Sequence, residues 1–435
     1  MKLIESIKTF FNTPLIFKSI NVLLLRIVGM LLFFSLTLFL TNKFDAGLVG
    51  QYDFSRALLI FLGGVCVFGM HQSVIYYSGY LKARDSLPYL KQVYKKMVVI
   101  VLSISILFFL AIFFVKPQFI NALFDKDVSR LVMNSVFALL FYGITLLNID
   151  VFRAINKIYV SEFYRNVLRY ALFFGAILWL YFSDNPQLLV EVFLLNFVFL
   201  AIISTAYLFY YFSRVKEGDT SVNISYKNIV KRSGPMAISA ITYLLMQSVD
   251  IILLSKFTSF ERVAFYSVAI KLTTIISLVL ASVNTVYAPT FAEWYSRKNF
   301  NGLRSGIKKS TRLIFLLTFP VILVVFLFSN RILGFFGADY MMAQNSLIVL
   351  LVGQAVNALC GSAGVYMNMT GKQVVFQRIL LVAFAINITL NLILIPIYDI
   401  LGAAIATSIS TIFWNVVTTA YIYRKDNVKT FLTLR

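Results

Sequence analysis

The chain has 435 residues, of which 60% are hydrophobic and 13% are charged, and its formal net charge is +21. A mean hydropathy of +0.84 excludes an ordinary soluble globular protein and indicates a polytopic membrane protein. Cys66, Cys360 and the single His71 are too few for a disulfide framework, a metal cluster or a Ser/His/Asp triad. We therefore expect no enzymatic activity, no bound metal and no cofactor.

Apolar runs long enough to cross a hydrocarbon layer about 30 Å thick follow one another along the chain. Ahead of them, MKLIESIKTFFNTPLIF places Leu3, Ile7, Phe10 and Phe11 on one helical face, which predicts an interfacial helix. No small-residue cleavage site follows this stretch, so we expect the N-terminus to be retained. The sequence predicts twelve spanning helices, at residues 18–42, 55–79, 97–115, 131–152, 166–182, 188–212, 234–255, 263–288, 311–328, 342–367, 376–397 and 401–423.

The basic residues orient these spans. An even number of spans places both termini on one side, and most of the 39 Lys and Arg residues fall on that side. The opposite side carries Lys43, Lys116, Lys126, Arg130, Lys256, Arg262 and Arg331. The positive-inside rule therefore predicts that both termini are cytoplasmic. This topology accounts for the positive charge without nucleic-acid binding.

Four basic residues remain inside predicted spans: Arg26, Arg56, Arg169 and Lys271. A charge at the centre of a bilayer costs about 2.5–3.5 kcal/mol on insertion scales, so it needs water, a partner or a ligand. Arg169 lies one turn past Arg165 and is expected to reach the cytoplasmic interface by snorkelling. Arg26, Arg56 and Lys271 are therefore the candidate ligand-binding residues.

Two acidic residues offer these cations alternative partners. Asp250 lies near the outer end of the seventh span, at a depth comparable to that of Lys271, and Asp53 lies three residues before Arg56. Either carboxylate is interpreted as half of a buried ion pair. Alternatively, Asp250 binds H⁺ or Na⁺ and couples the protein to an ion gradient.

The chain also repeats itself weakly. Three pairs of segments recur in the same order at an offset of 214 or 215 residues: VGQYDFSRAL with VAFYSVAIKL, NKIYV with GKQVV, and STAYLFY with TTAYIYR. The offset corresponds to six spans, so the halves keep the same orientation and are related by an axis along the membrane normal. The sequence thus predicts an all-α integral membrane protein with two six-helix bundles, residues 1–217 and 218–435, around a central cavity.

This organisation resembles a known family. The segments FDAGLVGQYDFSRAL, FTSFERVAFYSVAIKL, AINKIYVSEFYR and MTGKQVVFQR are similar to those of Wzx-type polysaccharide flippases, whose superfamily includes multidrug and toxin extrusion transporters and the lipid II flippase. The resemblance covers essentially the whole chain. It implies that the protein moves an undecaprenyl-diphosphate-linked oligosaccharide from the cytoplasmic to the periplasmic leaflet of the bacterial inner membrane by alternating access, in contact with other polysaccharide assembly proteins.

The resemblance also implies roles for the buried cations. Lipid II flippases carry basic residues in spans one, two and eight, and Arg26, Arg56 and Lys271 fall in the matching spans. Fixed cations offset the cost of stripping water from a diphosphate in a low-dielectric slab. We therefore expect Lys271 to face a water-filled cationic chamber, and a structural pair with Asp250 is the alternative.

Three other functions compete with a flippase. A multidrug antiporter of the same superfamily would favour a cavity rich in carboxylates, whereas the predicted interior has more Arg and Lys. A membrane polymerase or ligase needs a substantial outer loop, and the longest outer gap, Lys116 to Arg130, is short. A channel would need a repeated filter sequence, which is not found.

Overall fold

The computed structural model describes residues 14–82, 87–215 and 224–433. Within these ranges the chain is 89% helical and contains no strand. The predicted all-α class is therefore confirmed. The predicted interfacial helix, with Leu3, Ile7, Phe10 and Phe11, lies outside the described residues.

The helices follow the apolar runs of the sequence. In the first half of the chain they are α1 (Pro14–Lys43), α2 (Ala46–Val67), α3 (Met70–Lys82), α4 (Leu90–Phe113), α5 (Pro117–Phe124), α6 (Ser129–Ala154), α7 (Ile158–Glu162), α8 (Arg169–Phe182) and α9 (Leu189–Ser213). A π-helical segment, Phe163–Leu168, joins α7 to α8. In the second half they are α10 (Tyr226–Met246), α11 (Val249–Phe257), α12 (Phe260–Ser296), α13 (Phe300–Leu327), α14 (Ser329–Gly334), α15 (Gln344–Cys360), α16 (Ala363–Met369), α17 (Gln373–Tyr398) and α18 (Ile400–Asp426).

Among the described residues, nine helical stretches are long and apolar enough to cross a membrane. They are Leu24–Lys43, Leu90–Phe113, Ser129–Ala154, Pro186–Ser213, Phe260–Ser296, Phe300–Leu327, Ala338–Cys360, Gln373–Tyr398 and Ile400–Asp426. The protein is thus a multi-pass membrane protein, since about 20 apolar residues suffice for one crossing.

The other three predicted spans, 55–79, 166–182 and 234–255, coincide with interrupted helices. The first is broken between α2 and α3 at Phe68 and Gly69, whose φ angles are 45° and 69°. The second combines the π-helical segment with α8, which has 14 residues. The third is broken between α10 and α11. Whether these three stretches cross the membrane stays a prediction.

Packing groups the described residues into two units. Unit 1 takes those within Met1–Lys43, Leu58–Ala122 and Asp127–Ile241. Unit 2 takes those within Phe44–Ala57, Leu123–Lys126 and Thr242–Arg435. The first turns of α2 therefore pack in unit 2, and its remainder packs in unit 1. The division of the chain at residues 217 and 218 stays a prediction from the repeat.

Each unit is organised around well-covered helices. In unit 1, 72% of the residues in the apolar stretch of α6 are buried, whereas only 17% of those in the apolar stretch of α4 are buried. Helix α6 is therefore central, and α4 presents its apolar surface to lipid. In unit 2, α12 has the corresponding role, with 61% of its window buried. Near the end of α12, Phe291 packs with Ile307, Tyr366 and Ile422 in one apolar cluster.

Candidate functional site

The candidate site begins where α2 meets α12 in unit 2. A Cβ atom on Gly50 would lie 1.8 Å from the carbonyl oxygen of Phe260, so the two backbones touch at a place that only glycine fits. Asp53 lies on α2, one helical turn beyond Gly50. Lys271 lies on α12. The close approach of the two helices brings these two side chains together.

Asp53 is shared by two cations. The Lys271 Nζ lies 2.8 Å from Asp53 Oδ1 and 2.9 Å from Oδ2, and the two side chains are 2% and 0% exposed. The Arg56 Nε lies 3.4 Å from Asp53 Oδ1, and the Arg56 side chain is 17% exposed. One carboxylate thus faces an ammonium and a guanidinium, which leaves the cluster of Asp53, Arg56 and Lys271 with one net positive charge.

The surroundings of Lys271 differ from the expected ones. Its ammonium lies 5.6 Å from the centre of the Tyr52 ring, a cation–π distance, in addition to its bonds with Asp53. The side chain is therefore enclosed by protein rather than facing the water-filled chamber that the sequence led us to expect. A desolvated ammonium keeps its charge at tolerable cost because an opposite charge lies in direct contact with it.

Asp250 does not bond with Lys271 and has its own set of partners. The Asp250 Oδ1 accepts a hydrogen bond from Asn391 Nδ2 at 3.1 Å. The Asp250 Oδ2 accepts from the hydroxyl of Tyr266 at 3.2 Å and from the hydroxyl of Thr407. These donors are neutral and come from α12, α17 and α18, and no described Lys or Arg forms a salt bridge with this buried carboxylate.

Arg26 lies in unit 1 and belongs to a different pair. Its Nε and Nη2 donate to the two carboxylate oxygens of Glu162 at 3.0 and 3.1 Å, a bidentate fork between α1 and α7. The Arg26 side chain is 23% exposed and that of Glu162 is 3% exposed. Asn166 also donates to Glu162 Oε2, at 2.9 Å. Of the three predicted cations, Arg56 and Lys271 share a partner, and Arg26 is paired separately.

Three residues of these contacts are not predicted from the sequence: Glu162, Tyr266 and Thr407. Glu162 lies in the segment between two predicted spans, and acidic residues are common in such connecting segments. A signal for Tyr266 was present in the repeat, because Tyr52 and Tyr266 occupy the same place in VGQYDFSRAL and VAFYSVAIKL. Both tyrosines lie beside a charged group, Tyr52 at Lys271 and Tyr266 at Asp250.

The Arg26–Glu162 pair predicts a pH-dependent stability. Burial raises the pKa of the Glu162 carboxyl, but the hydrogen bond and charge of Arg26, together with Arg165 and Arg153, outweigh burial and leave that pKa below its ordinary value. A lowered folded-state pKa stabilises the protein above the unfolded pKa of about 4.3, and the contribution is lost as pH falls through the folded value.

Glu162→Gln is therefore expected to lower the free energy of unfolding by about 2 kcal/mol at pH 7, the worth of a charge-assisted hydrogen bond. The gap between variant and wild type should begin to close below about pH 4.3. Chemical unfolding in detergent across pH measures it, with Glu293→Gln as the control because Glu293 forms an exposed pair with Arg297. A gap that stays constant down to pH 3 would contradict the assignment.

Two sequence models of known families match the chain. The sequence model of the family described as polysaccharide biosynthesis protein matches residues 15–294, more than half of the chain. The chain belongs to the polysaccharide biosynthesis protein family. The resemblance to polysaccharide flippases is thereby confirmed. A second family model, MatE, matches residues 235–393.

Two curated relatives match parts of the chain. A Haloferax volcanii protein described as a low-salt glycan biosynthesis flippase is 28% identical over 165 residues, which cover 37% of this chain and 34% of that protein. A Shigella flexneri protein described as an O-antigen transporter is 28% identical over 190 residues, which cover 43% of this chain and 45% of that protein. The matched part of the chain thus spans less than half the length of either relative.

Among solved structures, the lipid II flippase MurJ in an inward closed conformation is similar over most of the chain. The TM-score is 0.71 at 16% sequence identity, covering 93% of this chain and 87% of that chain. At this identity the likeness shows a shared fold.

Proposed function

We propose that the protein is a flippase that moves an undecaprenyl-diphosphate-linked oligosaccharide from the cytoplasmic to the periplasmic leaflet by alternating access, without changing it chemically. Family membership, the two relatives named for glycan and O-antigen transport, and the MurJ-like fold support this function. The observation that carries it is the net positive charge of the buried cluster of Asp53, Arg56 and Lys271, where α2 packs on the membrane-spanning helix α12.

The charge of this cluster suits an anionic cargo. A diphosphate loses much of its hydration in a low-dielectric medium, and a fixed cation at contact distance offsets that loss. Arg56 retains some exposure and presents a planar fork that matches phosphate oxygens. Lys271 is held by Asp53 in this conformation, and we infer that it reaches the cargo when a conformational change separates the two helices.

The proposed topology has twelve crossings in two six-helix bundles, residues 1–217 and 218–435, related by an axis along the membrane normal. The weak repeat and the distribution of basic residues support it. In this topology both termini are cytoplasmic and the protein resides in the bacterial inner membrane. The many Lys and Arg residues of the cytoplasmic turns then lie at the anionic surface of the cytoplasmic leaflet.

A multidrug antiporter is the second candidate, because the MatE model matches residues 235–393 and unit 2 holds a buried carboxylate at Asp250. A carboxylate with neutral hydroxyl and amide donors is suited to taking up a proton or a sodium ion. We propose that Asp250 couples transport to the gradient of one of these ions. In a flippase, the same coupling would drive the return of the empty protein.

Proteoliposomes separate the two candidates. Vesicles with the purified protein are expected to move a fluorescent lipid-diphosphate oligosaccharide between leaflets faster than empty vesicles, and not to extrude ethidium. An imposed proton or sodium gradient should accelerate wild type but not Asp250→Asn. Ethidium export with no gain in oligosaccharide movement would refute the flippase. An equal gradient response in Asp250→Asn would refute coupling at Asp250.

A further inference from the structure

A basic pocket lies in unit 1 where α6 and α9 end, and its lining shares no residue with the ion cluster of Asp53, Arg56 and Lys271. Its volume is about 330 Å³. Two cations and three tyrosines dominate its lining, which consists of Lys157, Tyr207, Tyr210, Tyr211, Arg214 and Val215. In the proposed topology this end of both helices lies at the cytoplasmic leaflet. Tyrosine is enriched at membrane–water interfaces, which agrees with this position.

A defined turn fixes the lysine of this pocket. Helix α6 ends with Asn156 in the left-handed region at φ 62°. The Asn156 N–H donates to the Arg153 oxygen at 3.1 Å, and the Lys157 N–H donates to the Phe152 oxygen at 2.8 Å, the pattern of a helix C-terminal cap. The Tyr207 ring packs edge-on against Phe152, with centroids 5.2 Å apart. The backbone of Lys157 and the neighbouring aromatic wall are therefore held in place.

The second half of the chain has the equivalent turn, and there the lysine has an internal partner. NKIYV begins at Asn156 and GKQVV at Gly371, so Lys157 corresponds to Lys372 at an offset of 215 residues. Gly371 has φ 77°, and the Lys372 N–H donates to the Met367 oxygen at 2.9 Å. The Lys372 Nζ lies 2.5 Å from a carboxylate oxygen of Asp426.

Among its described residues, the first half shows no carboxylate equivalent to Asp426 at this pocket. STAYLFY and TTAYIYR align at an offset of 214 residues, so Asp426 corresponds to Phe212, and the preceding residue, Tyr211, lines the pocket. Within the part of the chain that the structure describes, none of the salt bridges involves Lys157 or Arg214. The Arg214 guanidinium carbon lies 4.2 Å from the centre of the Tyr210 ring, which orients it by cation–π contact. Two cations and the aromatic walls are thus present, and the described lining residues include no carboxylate to neutralise the cations.

We propose that this pocket binds the phosphate headgroup of an anionic membrane lipid, which takes the place that Asp426 fills in the second half. Charge complementarity selects an anion, and the tyrosine hydroxyls add hydrogen-bond donors. The neighbouring surface selects a lipid over a soluble phosphate, because the Tyr210 ring, which lines the pocket, is 56% exposed. This ring offers an apolar surface for acyl chains. The proposal goes beyond the transport function and does not involve Arg56 or Lys271.

The test uses the full chain in phosphatidylcholine nanodiscs that contain a minor fraction of phosphatidylglycerol. Native mass spectrometry counts the phosphatidylglycerol molecules retained on the released protein. Lys157→Ala and Arg214→Ala are each expected to weaken retention about fivefold, the worth of one basic residue near a membrane surface. Tyr211→Asp should weaken it similarly by supplying the carboxylate internally, with no cation removed.

Lys372→Ala is the matched control, since its ammonium is already neutralised by Asp426 and its loss should leave retention unchanged. Retention equal to wild type in both Lys157→Ala and Tyr211→Asp overturns the proposal. Equal loss in Lys372→Ala overturns its location. Full competition by soluble glycerol phosphate identifies a water-soluble ligand and overturns the lipid. Because no oligosaccharide is present, these outcomes are independent of the flippase assay.

Discussion

Asp53→Asn is expected to lower the free energy of unfolding by about 3–5 kcal/mol, the cost of removing one partner from a buried ion pair. The substitution leaves Lys271, 2% exposed, and Arg56, 17% exposed, without the carboxylate they share. Two like charges then face each other in a desolvated place. Chemical unfolding of the purified protein in detergent micelles measures the change.

The shared carboxylate makes the cluster asymmetric, and the asymmetry is itself testable. Lys271→Met should cost less than Asp53→Asn, because Asp53 keeps Arg56 as its partner. The double variant Asp53→Leu with Lys271→Met should recover part of the lost stability, since it removes the buried ammonium together with the carboxylate, whereas Arg56 still lacks its contact with Asp53. Glu191→Gln is the control, because Glu191 pairs with Arg130 at the surface, where the cost is below about 1 kcal/mol. Equal costs for Asp53→Asn and Lys271→Met would contradict the cluster.

Hydropathy was sufficient to predict the all-α class and the nine apolar helices found among the described residues. Helix α17, Gln373–Tyr398, was predicted at 376–397, and α9, Leu189–Ser213, at 188–212. These helices agree closely because a lipid-facing helix must be apolar along its whole length and must end where polar residues begin. No tertiary information enters that rule, so the sequence alone carries it.

Hydropathy did not predict the interruptions within helices. The predicted span 55–79 is divided at Phe68 and Gly69, and 342–367 is divided at Gly361, which has φ 64°. At Gly361 an added Cβ atom would lie 2.2 Å from the hydroxyl oxygen of Thr311 on α13. Such a break depends on a neighbouring helix rather than on local hydropathy. A hydropathy window averages across it and reports one continuous span.

The cations of the candidate site were predicted from the sequence, but most of their partners were not. A basic residue in an apolar run is visible in the sequence, and Arg26, Arg56 and Lys271 were found in that way. The pairing of Arg56 with Asp53, three residues away on the same helix, was also predicted. The partners of Lys271 and Arg26 were not, because Asp53 is 218 residues from Lys271 and Glu162 is 136 residues from Arg26. Asp250 was considered as a partner of Lys271 because the two residues lie at comparable depth in adjacent spans. Depth, however, does not specify the direction in which a side chain points. Only the packing of α2 on α12 at Gly50 selects Asp53.

Arg56→Gln is expected to lower transport strongly while leaving the fold intact. Arg56 is the more exposed cation of the cluster, so its loss removes the net positive charge without breaking the buried bond of Lys271 to Asp53. A charge-assisted hydrogen bond to phosphate contributes about 1.5–3 kcal/mol, which corresponds to about tenfold or more in rate if the bond stabilises the transition state. Arg56→Lys keeps the charge but not the bidentate fork, so an intermediate rate is expected.

The initial rate at which a fluorescent lipid-diphosphate oligosaccharide changes leaflet in proteoliposomes tests the role of this cluster most directly. Wild type, Arg56→Gln and Arg130→Gln are compared at equal protein content, Arg130 being an exposed cation outside the cluster. We expect Arg130→Gln to equal wild type and Arg56→Gln to be slower by about tenfold or more, with an unchanged unfolding midpoint. A wild-type rate for Arg56→Gln would contradict recognition of the diphosphate by the net positive charge at Asp53, Arg56 and Lys271.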